Sequence, residues 1–242
     1  MLLRLADEYA RRGASQTICI RKDGWLADEV RRRGIALEII PVGKTPDLGW
    51  FRAVVRLAKL RRVTAIHSHE FAMNVRAGVL AKILRVPVVA TVHGKAYYGE
   101  KWIRRLAYRF LARTVHLVAV SGDIRNYLID RLKVRSKDVT VICNGIDIER
   151  FRRQPEVRDR TRTRLGVEQH QLLLGAVGSY YPVKGHSFLL DALKEILRIH
   201  PNLRLILAGQ GPLEEKLRKQ VQTGSLGDHV DIAGYVEDIT GL

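Results

Sequence analysis

The stretch Leu172-Leu173-Leu174-Gly175-Ala176-Val177-Gly178-Ser179-Tyr180-Tyr181-Pro182-Val183-Lys184-Gly185-His186 decides the fold. It opens on an apolar run of strand length and breaks at Gly178-Ser179. Lys184-Gly185-His186 then leads into a helix-like run, Ser187 to Ile199. A glycine-bearing loop between strand and helix gathers backbone N–H groups and a helix N-terminus at one spot. That spot suits an anion, and a lysine in it is a point charge for phosphate. The string G-x-x-x-x-G-K-[ST] does not occur, so this is not a Walker loop. A second loop repeats the logic: Leu203–Leu207 runs into Gly209-Gln210-Gly211-Pro212, and a charged helix follows. Two such loops at the ends of neighbouring strands predict one site for a phosphorylated ligand.

Outward from this stretch, strand-like and helix-like segments alternate. Strands are expected at 17–21, 36–42, 63–69, 86–93, 116–121, 139–143, 172–178, 203–209 and 230–235. Helices are expected at 1–12, 25–33, 50–60, 72–84, 100–112, 124–132, 187–199 and 213–222. Several strands are unbroken β-branched and leucine runs, as strands covered on both faces should be. The alternation reads as α/β with parallel sheets. A polar, arginine-rich stretch at 152–165 separates two blocks, 1–150 and 151–242, and reads as a linker followed by a short helix. The chain opens on a helix where a doubly wound domain opens on a strand, and its last residues read as a helix entry. Both ends suggest a fragment.

The chain has 242 residues, 46% of them hydrophobic, which is enough for a sizeable core and argues against disorder. No apolar stretch reaches the ~18–20 residues of a membrane span, and no signal peptide opens the chain. Cys19 and Cys143 lie in apolar runs and read as buried thiols, which fits a reducing cytoplasmic setting. The net charge of +17 is uneven. Residues 1–150 hold 29 Lys and Arg against 14 Asp and Glu, a net of +15, and the remainder holds 13 against 11, a net of +2. The first block therefore meets something anionic, such as a bilayer surface, a charged acceptor or nucleic acid, unless the excess is simply a solvated arginine-rich surface. Aromatics, at 7%, are not interleaved with the basic runs, which argues against nucleic acid.

In open α/β sheets, ligands bind beyond the carboxyl ends of the strands. The first block places polar residues there: His67-Ser68-His69-Glu70, His93-Gly94, Ser121-Gly122 and Asn144-Gly145. Each has a structural reading as well. His67 suits a satisfied interior histidine, His69 and Glu70 a helix start, Ser121 and Asp123 an N-cap, and Asn144-Gly145 a turn. His93 has no such excuse, and its expected role is functional. No metal-ligand spacing and no G-x-S-x-G elbow appear.

These strings, with Val118-Ala119-Val120-Ser121, Val141-Ile142-Cys143-Asn144-Gly145-Ile146-Asp147, Phe151 and Val230-Asp231-Ile232-Ala233-Gly234, resemble glycosyltransferase family 4. The resemblance implies a GT-B architecture of two Rossmann-like, doubly wound parallel-sheet domains facing each other across a cleft. The first binds the acceptor and the second a nucleotide-sugar. It implies that His93 lies beside the donor sugar at the reaction centre. Gly178, Ser179, Lys184 and Gly185 would hold the donor diphosphate, and Gly209, Gly211 and Gly234 the nucleotide. His69, Glu70, Ser121, Asn144 and Gly145 would line the acceptor side or the cleft. The implied activity is a hexosyl transfer from a nucleotide-sugar to a glycan or lipid-linked acceptor, as in polysaccharide or lipopolysaccharide synthesis. The anomeric configuration is retained, and neither metal nor cofactor is required, the nucleotide-sugar being a substrate.

Three departures accompany the resemblance. Ser179 stands where the family usually has arginine; the family's first strand falls before Met1; its E-x7-E element falls after Leu242. Both domains are thus expected to be incomplete, and the polypeptide alone to fold poorly, to associate and to be inactive. The competing class is a non-catalytic module that binds an anion or a membrane surface. Lys101, Arg105, Arg109 and Arg113 recur at helical spacing beside Trp102, Ile103, Leu106 and Phe110. Such a basic amphipathic helix suits an anionic membrane at the inner face of the plasma membrane. The alternative is an ordinary helix whose apolar side packs on the sheet.

Overall fold

The computed structural model describes residues 1–43, 47–95, 102–236 and 238–241. The chain divides into two compact units, Met1–Gly145 and Ile146–Leu242. The first runs α1 (Leu2–Arg11), β1 (Thr17–Ile20), α2 (Trp25–Arg32), β2 (Ala36–Ile39), α3 (Leu48–Leu60), β3 (Ile66–His69) and α4 (Phe71–Leu84). It continues through β4 (Val88–Val92), α5 (Trp102–Leu111), β5 (His116–Ala119), α6 (Gly122–Asp130) and β6 (Val139–Val141). The second runs α7 (Pro155–Arg164), β7 (Leu172–Val177), α8 (His186–Leu197), β8 (Leu203–Ala208), α9 (Glu214–Thr223) and β9 (Val230–Gly234). Each expected strand forms, shorter by a residue or more at its ends. Residues 100 and 101 of the expected helix 100–112 lie outside the described residues.

Every strand pairing is parallel. In the first unit β1 and β2 form a sheet of their own, and β3-β4-β5-β6 form a second, four-stranded one. Among the described residues β1 pairs only with β2, and β3 only with β4. The core lies on β4 and β5, where Val88, Ala90, Val92, Leu117 and Ala119 pack with Tyr108, Leu111 and Leu128. Each such large side chain contributes about 1.5–3 kcal/mol on burial. α4 stops at Arg85, which takes a left-handed conformation (φ 55°). Val86 follows and precedes Pro87, a position that disfavours helix.

In the second unit the order is β7-β8-β9. Leu203, Leu205 and Leu207 of the central strand pack with Leu190, Leu193 and Leu217. β7 departs from the expectation of a strand covered on both faces: Leu172, Leu174 and Val177 are 50%, 41% and 52% exposed. It has the same apolar composition as β8 but pairs on one side only, so less is packed against it. The two thiols depart likewise. Cys19 and Cys143 are exposed, because β1 belongs to a two-stranded sheet and Cys143 lies past the end of β6, the edge strand. Asn144-Gly145 forms no turn; both lie in an exposed irregular segment, and the Gly145 carbonyl accepts a hydrogen bond from Arg4 at 3.1 Å.

Candidate active site

The anion-type site of the second unit is built mostly from backbone. Gly209 follows β8 with φ +158°, and a Cβ there would stand 1.9 Å from the Gly178 carbonyl oxygen. A Cβ on Gly211 would stand 2.8 Å from the carbonyl oxygen of Tyr180. Only glycine lets the two loops approach this closely. Tyr180, fully buried, fastens them together. Its N–H donates to Gln210 O (3.0 Å), its carbonyl accepts from Leu213 N (3.1 Å), and its hydroxyl donates to Leu207 O (2.8 Å). Gly209 N donates to Gly234 O at 2.7 Å, so the end of β9 joins the same network. Together these strand ends border a cavity of about 370 Å³, lined by Gly178, Ser179, Gly209, Gln210, Tyr235 and neighbours.

Lys184 ends a one-turn 3-10 segment, Pro182–Lys184, directly before α8. It is exposed, and a Cβ on Gly178 would lie 3.9 Å from its Cδ, so its stem passes beside the first loop. Among the described residues no carboxylate pairs with it. Gly185, with φ +73°, turns the chain into the helix, whose first N–H groups are free to bind an anion. His186, the first residue of α8, is buried against Tyr180, and its Nε2 has no hydrogen-bond partner among the described residues. The expected diphosphate group Gly178, Ser179, Lys184 and Gly185 thus gathers around one strand-to-helix turn, and Gly209, Gly211 and Gly234 sit on the adjoining ends.

The first unit's strand ends carry side chains instead. β3 and β4 are in register with His69 opposite Thr91, so His67, His69, Thr91 and His93 share one face. His67 Nε2 lies 2.8 Å from Thr91 Oγ1, and His69 Nδ1 lies 2.9 Å from His93 Nε2. Burial pushes the His69 imidazole down to about 4, with His67 and His93 adding to the effect. His67 and His93 are also lowered, mainly by burial, although Glu70 opposes the shift at His93. All three rings are therefore neutral at neutral pH. Glu70 itself has φ 70° and ψ 151°, a backbone region nearly reserved for glycine, at a cost of about 1–3 kcal/mol. It occupies the N-cap position of α4 but caps nothing with its side chain.

The opposite face of the same strands hides a network that sequence reasoning missed. Asn74, fully buried, donates from Nδ2 to Thr91 O (3.0 Å) and the Tyr108 hydroxyl (2.9 Å). Its Oδ1 accepts from Ser68 Oγ at 2.8 Å. It ties β3 to β4 directly behind the histidines. Its signal was an asparagine inside the apolar run 71–84. Ser121 accepts from Ile124 N at 3.2 Å and so serves as the N-cap of α6. Asp123 pairs with Lys95 at 2.5 Å. Among the described residues no group of three or more His, Cys, Asp or Glu is placed to hold a metal ion.

Two parallel α/β units with polar groups at the carboxyl ends of their strands define the GT-B class of fold. HepE from Anabaena, solved with UDP-glucose, superposes with a TM-score of 0.85 at 23% identity, over 99% of this chain and 66% of that one. The chain belongs to glycosyltransferase family 4: that family's profile matches residues 1–150, and that of glycosyl transferases group 1 matches 157–241. An Escherichia coli relative, the UDP-Gal:alpha-D-GlcNAc-diphosphoundecaprenol alpha-1,3-galactosyltransferase, is 25% identical over 90% of this chain and 59% of its own length. The alpha-monoglucosyldiacylglycerol synthase of Streptococcus pneumoniae (strain ATCC BAA-255 / R6) is 25% identical over 77% of this chain and 45% of its own. The chain thus spans under two thirds of the length of these relatives.

Proposed function

We propose that this chain carries the acceptor-side and donor-side elements of a retaining glycosyltransferase that uses a nucleotide-sugar, with a uridine nucleotide as the donor's carrier. The observation that carries the reading is the interlock of Gly178, Tyr180, Gly209 and Gly211 beside the α8 N-terminus and the 370 Å³ cavity. The helix N-terminus and Lys184 would take the charge of the departing diphosphate, which is the electrostatic work such a transfer needs, without a bound metal. Ser179 offers a hydroxyl where the family usually offers a charge, so Lys184 carries more of that work. His93 would stand at the donor-sugar side. The relatives support a uridine nucleotide and a lipid-linked or glycolipid acceptor, since their names and titles include UDP, UDP-Gal, diphosphoundecaprenol and glucosyldiacylglycerol. Calorimetry of the chain with UDP should give saturable one-site binding. Equal heats from UDP and inorganic phosphate would reduce the site to a plain anion hole.

We further propose that the first unit meets an anionic lipid surface. On α5 the residues Trp102, Ile103, Leu106 and Phe110 are 69%, 58%, 40% and 58% exposed, while Tyr108 and Leu111 turn inward. The apolar residues beside the basic stripe are therefore not the ones that pack on the sheet. Arg105, Arg109 and Arg113 are exposed with them, and Lys101 lies outside the described residues. Aromatic and aliphatic side chains beside arginines suit the headgroup boundary. Among the described residues no helix is long and apolar enough to cross a membrane. Co-sedimentation should require anionic vesicles, fade with salt and weaken in Trp102→Ala/Phe110→Ala. Equal recovery with neutral vesicles would reject the idea.

A further inference from the structure

We propose that His69 is a positioning residue that locks the tautomer of His93. His69 Nδ1 faces His93 Nε2 at 2.9 Å. Two neutral rings at that distance share one proton: two bare nitrogens would repel through their lone pairs, and two N–H groups would collide. Each ring's tautomer is therefore set by the other.

The surroundings hold His69 in place for this task. The His67 ring lies against it with centroids 4.4 Å apart and is itself anchored to Thr91 Oγ1. The His93 ring follows at 5.2 Å, with 25° between the planes. Behind the strands, Asn74 and Ser68 fix the spacing of β3 and β4. Immediately after His69, the strained Glu70 turns the chain away into α4. Among the described side chains, the titratable groups acting on the pair are His67 and Glu70.

The consequence concerns the other nitrogen of His93. If Nε2–H donates to His69, Nδ1 is only an acceptor; if His69 donates, Nδ1–H is only a donor. Burial weakens the His69 ring as a base most, while Glu70 supports basicity at His93, so the pair settles with His69 Nδ1–H donating to His93 Nε2, and His93 presents Nδ1–H as a donor to whatever lies beside it. For its catalytic meaning this rests on the reading of His93 as the residue beside the donor sugar. The lock itself rests on the histidine geometry alone.

Two-bond proton–nitrogen correlation spectra of the chain, labelled with nitrogen-15 histidine, test it at neutral pH. His93 is assigned by the signal lost in His93→Gln. The wild type should show one tautomer at His93, with one protonated and one bare nitrogen. In His69→Phe, which keeps a ring against His67 and removes Nδ1, both nitrogens of His93 should move towards tautomer-averaged shifts. Averaged shifts in the wild type, or an unchanged pattern in a folded His69→Phe, would overturn the proposal. If His69→Phe fails to fold, the wild-type spectrum decides. Failure of the donor-sugar reading would look different: the lock would be present, while His93→Ala left the turnover of the longer enzyme unchanged.

Discussion

The glycines that follow the strands of the first unit and those of the Gly209–Gly211 loop in the second are under opposite constraints. A Cβ added at Gly94, Gly122 or Gly145 in the first unit would meet nothing within 4 Å. At Gly209 and Gly211 in the second unit it would strike backbone. The first unit holds its candidate site with side chains: a histidine row on one face and an asparagine network on the other. The second holds its site with main chain, drawn so close that only glycine fits, and fastened by one buried tyrosine. A side-chain site can be retuned by single substitutions. A main-chain site resists them, because the glycines that shape it also let its loops close together.

The sharpest break of this contrast is a pair of identical substitutions. Gly209→Ala should destabilise the second unit by about 4 kcal/mol, from the strained backbone and the overlap with Gly178 together. Gly94→Ala should stay within about 0.5 kcal/mol of the wild type. Chemical denaturation of both variants measures this, and similar losses would erase the distinction. Next in size is Lys184→Ala. If backbone N–H groups share the diphosphate with the lysine, UDP binding should weaken by about 1.5–3 kcal/mol, roughly 10- to 150-fold, yet remain measurable. Complete loss would mean that the lysine alone makes the site; no change would mean that it is a solvated loop residue.

The smallest effect probes the side-chain site through pH. His69 titrates near 6.5 when unfolded and near 4 when folded. The fold therefore favours the neutral ring. Its contribution is fully present above about pH 6.5, and it is lost as the pH falls towards 4. With allowance for solvent around this half-buried group, about 1–2 kcal/mol should disappear over that range. Melting of the wild type against His69→Asn across the same range isolates the contribution. Parallel curves would show that the ring is not held neutral by its surroundings.

The same contrast explains what the sequence revealed. Leu203–Leu207 and Val88–Val92 were legible as strands because both lie in the middle of their sheets, where apolar runs are required on both faces. Leu172–Val177 was equally legible as a strand, but its composition carried no sign that it would lie at an edge. The glycine loops were legible because glycine marks unusual backbone wherever it stands. Tyr180 was not: in Ser-Tyr-Tyr-Pro it looks like an exposed loop residue, and its burial depends on glycines in another loop. Glu70 concealed its backbone in the same way, since nothing in His-Ser-His-Glu-Phe announces a glycine-like conformation. The pairing of His69 with His93 follows from the β3–β4 register, which only the folded sheet supplies.

The separation of β1 and β2 from the four-stranded sheet has a kinetic meaning. A two-stranded parallel pair of four-residue strands is not stable alone in water, so α1, β1, α2 and β2 hold only as long as they stay docked. Backbone amides there should exchange with solvent through local openings, well below the free energy that unfolds β4 and β5. His67 and His69 stand on β3, whose ladder runs to β4 in the other sheet, so their backbone hydrogen bonds do not depend on that segment.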